Sequence, residues 1–143
     1  MREILFRGKG NKKYNDGDWY YGVPIQCSDG DWQICTNCSK RTVITKTIGQ
    51  YTGLTDRNGK KIFEGDIVKL TDDYNDFEWK AVVVFGNPGG AYCWGWNFLP
   101  IDGYKGTTDI LMWVEMEATG AYCEVIGNIH DNPELLKGGN NNG

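Results

Sequence analysis

Hydrophobic and polar residues alternate in five short segments of this chain, which is the pattern of β-strands with one buried face. The segments comprise residues 18–25, 77–85, 94–98, 110–116 and 123–129. In the first of them Trp19 and Tyr21 are predicted to fill a core, because large rings bury the most area per residue. Pro24 predicts an edge strand there, since proline cannot donate a hydrogen bond to a neighbouring strand. Gly127 leaves room for a bulge or a close neighbour in the last segment.

Turn-forming residues separate the predicted strands. The pairs Asp29-Gly30 and Asn58-Gly59 favour the positive φ angles of tight hairpins. Asn132-Pro133 has the residue types that begin a helix, and Gly138 would end it after about one or two turns. Residues 139–143 form a polar tail, and neither a repeat nor a linker divides the sequence. We therefore expect a single domain over residues 1–143.

The composition is that of a folded chain outside the membrane. Of the 143 residues, 40% are hydrophobic and 13% are aromatic, which is too apolar for a disordered protein. A run of about 18 apolar residues does not occur, so a membrane span is not expected. The first residues lack the continuous hydrophobic stretch of a signal peptide, so we expect a cytoplasmic protein.

Charge is distributed unevenly along the sequence. Residues 1–61 contain eleven Lys and Arg against six Asp and Glu, whereas residues 62–143 contain four against thirteen, which gives the net charge of −4. One interpretation is a basic face and an acidic face that allow contacts between copies, so a homo-oligomer is expected. The alternative is an uneven scatter of solvated charges. An acidic chain also opposes general binding to nucleic acid.

Basic residues beside aromatic rings in the first half nevertheless suggest a single-stranded nucleic-acid groove as an alternative function. Tyr20 lies on the opposite strand face from Trp19 and Tyr21, so it is the candidate ring for stacking on a base. The candidate phosphate contacts are Lys12, Lys13, Lys40 and Arg41.

The cysteines offer an incomplete metal site. Cys35 and Cys38 have the spacing of half a zinc site, and Cys27 is the candidate third ligand. A second pair of this kind is absent, so reduced thiols and no cofactor are favoured over bound zinc. The acidic segment 72–78 is expected to be a solvated loop, because it lacks the spacing of a calcium loop.

Enzymatic activity is not favoured, and no catalytic residue is assigned. His130 is the single histidine, and nucleophilic catalysis needs a base with a group that orients it. We expect His130 to be a hydrogen-bonded residue at the junction between the last strand and the short helix. A small metal- or thiol-dependent enzyme built on Cys35, Cys38 and His130 remains the alternative.

Three stretches of the sequence together resemble the YopX family of phage and prophage proteins. They are REILFRG at residues 2–8, IGQYTGLTDRNGKKIFEGDIV at residues 48–68, and VIGNIHDNPELL at residues 125–136. The resemblance implies a β-rich cytoplasmic protein of a phage or integrated element that can self-associate. It implies no established activity and therefore no catalytic residues.

The order of the predicted strands resembles a small SH3-like barrel. We expect a mainly β fold: a coiled antiparallel sheet or a partly open SH3-like barrel, extended by N-terminal strands and followed by a short C-terminal helix. The expected function is a non-enzymatic binding or assembly module. Its partners would be further copies of itself or a phage or host protein, with the functional surface in the variable loops.

Overall fold

A computed structural model describes residues 3–37, 39–74, 76–86, 95–101, 108–110, 113 and 120–137. This part of the chain contains eleven strands: β1 Phe6–Lys9, β2 Trp19–Gln26, β3 Trp32–Cys35, β4 Lys40–Val43, β5 Gly49–Thr55, β6 Lys61–Phe63, β7 Asp66–Asp72, β8 Phe77–Gly86, β9 Gly95–Pro100, β10 Thr108–Asp109 and β11 Ala121–Asn128. It also contains two short 3-10 helices, Thr45–Thr47 and Pro133–Leu136.

The chain divides into two compact units, Met1–Gly53 and Leu54–Gly143. We call them the first unit and the second unit. Strand β5 begins in the first unit and ends in the second. The expectation that residues 1–143 act as one domain stays a prediction.

The sheet of the first unit coils back on itself. Its strands are ordered β4-β3-β2-β1-β5, and the paired strands are antiparallel. Beyond the end of β1, Gly10 forms an isolated antiparallel bridge with Val43 of β4. The N–H of Asn11 donates to the carbonyl of Thr42 at 3.0 Å beside that bridge. The first and fourth strands are therefore neighbours, as the coiled antiparallel sheet requires.

Glycines on the inner face make this close coil possible. A Cβ atom at Gly8 would lie only 3.0 Å from Cγ2 of Val43, and one at Gly22 would overlap the carbonyl oxygen of Cys35. Ile34 and Val43, which lie on the same face as these glycines, are buried. The inner face of the coil is thus the even-numbered face of β2.

The predicted burial of the odd-numbered face of β2 is wrong. Tyr21 is exposed, and Trp19 is half-buried rather than part of a closed core. The cause is the direction of the coil, which encloses the face that carries the glycines. The prediction that Pro24 marks an edge strand is wrong for the strand as a whole, because β2 lies between β3 and β1. Pro24 is tolerated there because β1 pairs only with residues 19–22, so at Pro24 the strand has a partner, β3, on one side only.

The second unit contains a five-stranded antiparallel sheet with the order β10-β9-β8-β7-β11. Alternation along β8 predicts its core correctly, because Trp79, Ala81 and Val83 are buried, although Phe77 and Phe85 at the strand ends are exposed. The other buried members of the cluster are Ile62, Val68, Leu70, Phe98, Ile110, Trp113, Ala121 and Cys123.

Two residues of one predicted strand are helical in the structure. These are Ile110 and Trp113, and both are buried in the core of the second unit. Residues three apart share a face in a helix but point to opposite faces in a strand, so the burial of both residues agrees with their helical backbone. Met112, Val114 and Met116, which belong to the same predicted strand, lie outside the described residues.

The mainly β, antiparallel character of the fold is confirmed, but the described strands of neither sheet close into an SH3-like barrel. The predicted bulge in β11 is confirmed by a register shift between Val125 and Gly127. The predicted terminal helix begins at Pro133 but is a 3-10 turn. In the described part of the chain, no helix is long and apolar enough to cross a membrane.

Candidate interaction surface

Three adjacent apolar side chains are exposed on the outer face of β2. Tyr21 is 46% exposed, Val23 is 56% exposed and Ile25 is 40% exposed. They alternate along the strand, so they point to the same side at spacings of about 7 Å. We call Tyr21, Val23 and Ile25 the β2 stripe. Contiguous exposed apolar side chains of this kind mark interaction sites more often than scattered ones do.

The neighbouring strands give the stripe a polar border. In the antiparallel register, Val23 lies opposite Cys35 of β3, and Cys35 lies opposite the exposed Lys40 of β4. Residues directly opposite each other project from the same face of a sheet. The Lys40 ammonium is therefore on the same side as the stripe and two strands away from it.

A buried cation lies at the Tyr21 end of the stripe. Arg7 of β1 is opposite Tyr21 and only 6% exposed. Its guanidinium carbon lies 4.6 Å from the centre of the Trp19 ring, a geometry typical of a cation–π contact. The guanidinium is a cation, so it adds positive potential to this face.

Net charge differs between the two units. The first unit contains eight Lys and Arg against five Asp and Glu, and the second contains seven against fourteen. Their net charges are therefore +3 and −7. The stripe thus lies in the basic unit of an acidic protein.

The predicted nucleic-acid contacts do not all lie on one face. Tyr20 donates a hydrogen bond from its hydroxyl to Asp16, and the guanidinium carbon of Arg41 lies 5.8 Å from its ring centre. The hydrogen bond from Tyr20 lowers the pKa of Asp16 and, conversely, raises the pKa of Tyr20. Lys40 follows the stripe instead, because neighbouring residues of a strand point to opposite faces.

Lys12 and Lys13 lie in the exposed loop between β1 and β2. The ammonium of Lys13 lies 5.5 Å from the ring centre of Tyr14, which is itself exposed. Lys13 and Tyr14 therefore form a second pair of a basic residue and an aromatic ring, in addition to Arg41 and Tyr20.

Two of the candidate zinc ligands lie far apart. Cys35 lies opposite Val23 of β2. Cys27 follows the end of β2 and is four residues after Val23 in the sequence. Four residues of strand correspond to about 13 Å, while two thiolates on one zinc ion lie about 4 Å apart. The register therefore opposes a shared metal ion for Cys27 and Cys35. Cys38 lies outside the described residues, so its pairing with Cys35 stays a prediction.

The other candidate residues have positions consistent with structural roles. His130 lies between β11 and the 3-10 helix, and its backbone N–H donates to Oδ1 of Asn128 at 2.9 Å. In the acidic segment Asp73, Asp76 and Glu78 are exposed at the turn between β7 and β8. The described residues contain no group of three or more His, Cys, Asp or Glu side chains able to hold a metal ion.

Sequence reasoning missed the β2 stripe because it assigned these residues to a core. One signal was available: Gly8 and Gly22 both lie on the opposite face from the stripe, as the register of β1 and β2 gives it. Two glycines on one face predict a close approach of backbones on that side. The side chains of Tyr21, Val23 and Ile25 project to the other side.

Comparison with known proteins identifies related sequences and folds. A family model described as "YopX protein" matches residues 5–137. A crystal structure of protein EF1440 from Enterococcus faecalis has a TM-score of 0.52 with this chain, at 23% identity, covering 96% of this chain and 100% of that one. That similarity concerns the fold alone. None of the curated proteins compared with the chain matches it significantly.

Proposed function

The chain belongs to the YopX protein family, and on that premise we propose that it is a non-enzymatic binding or assembly module encoded by a phage or prophage. It acts in the cytoplasm of the bacterial host. It contacts another protein through the β2 stripe, with the basic border of the stripe adding affinity for an acidic partner.

The observation that carries this proposal is the exposure of Tyr21, Val23 and Ile25 in one row of a regular strand. Burying an exposed apolar side chain contributes roughly 25 cal/mol per Å² of apolar area. A sheet also holds such side chains in fixed positions, so little conformational entropy is lost when a partner binds. Aromatic residues and arginine are enriched at interfaces, and Tyr21 lies beside Arg7 and Trp19.

The polar residues of the family's sequence blocks support a scaffold rather than a reaction centre. Asp56 accepts three backbone hydrogen bonds, and Asn128 accepts two. These side chains shape turns and hold strands in place. Their chemistry is used for folding, which leaves the exposed strand face as the feature best suited to function.

A photo-reactive amino acid at position 23 tests the proposal in the native host. Irradiation should yield a covalent adduct whose mass identifies the partner, either this chain or another protein. Position 46 is the matched control, because Lys46 is exposed in the same unit but lies in a 3-10 helix outside the stripe. The absence of an adduct at position 23, or equal adducts at both positions, would overturn the proposal.

Binding of single-stranded nucleic acid is a second candidate function, favoured by the exposed loop that holds Lys12, Lys13 and Tyr14. Affinity would then fall steeply with salt, because each neutralised phosphate releases counterions. Replacing a stacked ring, by Tyr14→Ala or Tyr20→Ala, would cost about 1–3 kcal/mol. Fluorescence anisotropy with mixed-sequence oligonucleotides at low salt measures both effects. The lack of a saturable signal would reject general binding.

A further inference from the structure

We propose that copies of this chain associate head to tail, with the turn between β7 and β8 of one copy docking on the β2 stripe of the next. This inference rests on the proposed function, because it uses the same stripe. It adds the identity of the partner and the surface that the partner presents.

The β7–β8 turn carries the most exposed aromatic side chain among the exposed large hydrophobic residues of the structure. Tyr74 is 85% exposed, and Phe77, which begins β8, is 43% exposed. Asp73, at the start of this turn, is held in place, because its N–H donates to the carbonyl of Gly120 at 3.0 Å. Aromatic rings close to such an anchored residue can enter an interface at a low cost in conformational entropy.

Carboxylates surround these rings. Asp73, Asp76 and Glu78 are exposed within the same few residues. Glu78 also forms an ion pair with Lys69 at 3.7 Å. The turn therefore presents aromatic surface at its centre and negative charge at its rim, and it belongs to the unit with a net charge of −7.

The β2 stripe has the complementary arrangement. Its centre is apolar, the exposed Lys40 lies on its border, and its unit has a net charge of +3. An apolar centre with a charged rim is the common anatomy of a protein interface. Opposite charges at the rim accelerate association and fix the orientation of the partner. A second copy of this chain supplies both halves of that match.

The two surfaces differ, so the contact is heterologous. Each copy that uses its stripe still has a turn to offer, and the assembly extends unless rotation between copies closes a ring. A two-fold symmetric dimer would instead bury the same surface on both copies. The head-to-tail contact and the two-fold symmetric dimer can therefore be distinguished by mixing variants. In a head-to-tail contact, a variant with an altered stripe can still bind a variant with an altered turn.

Sedimentation velocity on the full chain at low salt tests the contact. We expect species larger than a monomer at micromolar concentration, and we expect salt to shift them toward the monomer. Val23→Glu in the stripe and Phe77→Ser in the turn should each raise the dissociation constant by about tenfold or more. The matched controls, Ile4→Glu and Phe85→Ser, change exposed residues of the same units and should behave like the wild type. Circular dichroism establishes that each variant is folded.

An equimolar mixture of the Val23→Glu and Phe77→Ser variants is the decisive sample. The first variant retains a turn and the second retains a stripe, so together they should form a heterodimer that does not grow further. A failure to form that heterodimer, or equal loss of association in the control variants, would overturn the head-to-tail contact. So would a wild-type chain that remains monomeric.

These outcomes separate the present inference from the proposed function. If Val23→Glu abolishes association and Phe77→Ser does not, the stripe is a binding surface, but the β7–β8 turn is not what binds to it. If the wild type is monomeric but position 23 is cross-linked to another protein in the host, the proposed binding function is supported and self-association is rejected.

Discussion

The carboxylate of Asp56 accepts a hydrogen bond from the backbone N–H of Val125 at 2.9 Å, although the two residues are 69 positions apart. Its other oxygen accepts the N–H groups of Asn58 and Lys60 at 2.8 Å and 2.9 Å. One side chain thus shapes the turn before β6 and fixes it to β11, the last strand of its sheet. A covered strand edge is protected from pairing with other chains.

Replacing Asp56 by Ala should destabilise the second unit strongly. The substitution removes three hydrogen bonds to a buried charged acceptor, and lost bonds of this kind typically cost about 2–4 kcal/mol in total. Urea denaturation followed by tryptophan fluorescence measures the change as a lower midpoint at an unchanged slope.

Asp56→Asn is the informative partner of that variant. An amide can still accept the N–H groups within the turn, but its NH₂ group would face the N–H of Val125, where both groups are donors. We expect a smaller but clear loss of stability. Asp29→Ala, which changes an exposed turn aspartate with one local hydrogen bond, should have little effect. Equal stability of Asp56→Ala and the wild type would contradict this role.

The coil of the first unit depends on Gly22. A Cβ atom there would overlap the carbonyl oxygen of Cys35, and a backbone atom cannot rotate out of the way. Gly22→Ala should therefore lower the free energy of unfolding by about 3 kcal/mol. Gly30→Ala is the comparison, because it adds a Cβ into open space and carries only the strain of a positive φ, about 1 kcal/mol. Thermal denaturation that ranks Gly30→Ala as the more damaging change would disprove the argument.

The hydrogen bond between Tyr20 and Asp16 should be visible in a pH titration. It raises the pKa of Tyr20 and lowers the pKa of Asp16. Its contribution to stability is present above the ordinary pKa of aspartate and is lost as pH falls through the lowered value. At the alkaline end it is present below the ordinary pKa of tyrosine and is lost as pH rises through the raised value.

Asp16→Asn should accordingly return the pKa of Tyr20 toward that of an ordinary tyrosine. Ultraviolet absorbance titration measures this, and the difference from a Tyr20→Phe variant isolates the one residue. Arg41→Gln should raise the pKa of Tyr20 further, because Arg41 favours the tyrosinate form. An unchanged tyrosine titration in Asp16→Asn would show that the hydrogen bond does not form in solution.

The cysteines of the first unit give a metal prediction. Because Cys27 and Cys35 lie at opposite ends of the β2–β3 hairpin, they cannot share one ion, and we expect less than one zinc ion per chain by elemental analysis. The matched variants are Cys35→Ser and Cys27→Ser. Stoichiometric zinc that both variants lose would contradict the hairpin register, whereas loss in Cys35→Ser alone would support a site with Cys38.

The sequence predicts the sheet of the second unit better than the sheet of the first. Along β8 the alternating residues Trp79, Ala81 and Val83 have one buried face, because the strand packs on a single core. Along β2, by contrast, the alternating apolar residues form the exposed face of the strand. Which face is enclosed there depends on the bridge between Gly10 and Val43, a pairing between distant residues that no local period records.

The candidate surface was hidden for the same reason. Tyr21 and Val23 have the residue types of a core and the spacing of a buried strand face, so their composition alone argues against a surface position. The role of Asp56 is equally invisible in the local sequence, since its partner Val125 lies far along the chain. Short-range features fared better: the turn at Asn58-Gly59 and the bulge at Gly127 depend only on nearby residues.

Nuclear magnetic resonance of the labelled full chain over a dilution series tests most directly whether the β2 stripe binds another copy. We expect the amide signals of Tyr21, Val23 and Ile25 to shift and broaden as concentration rises, while those of the 3-10 helix Thr45–Thr47 stay constant. Signals of the stripe that do not change with concentration, while signals elsewhere in the chain do, would contradict it.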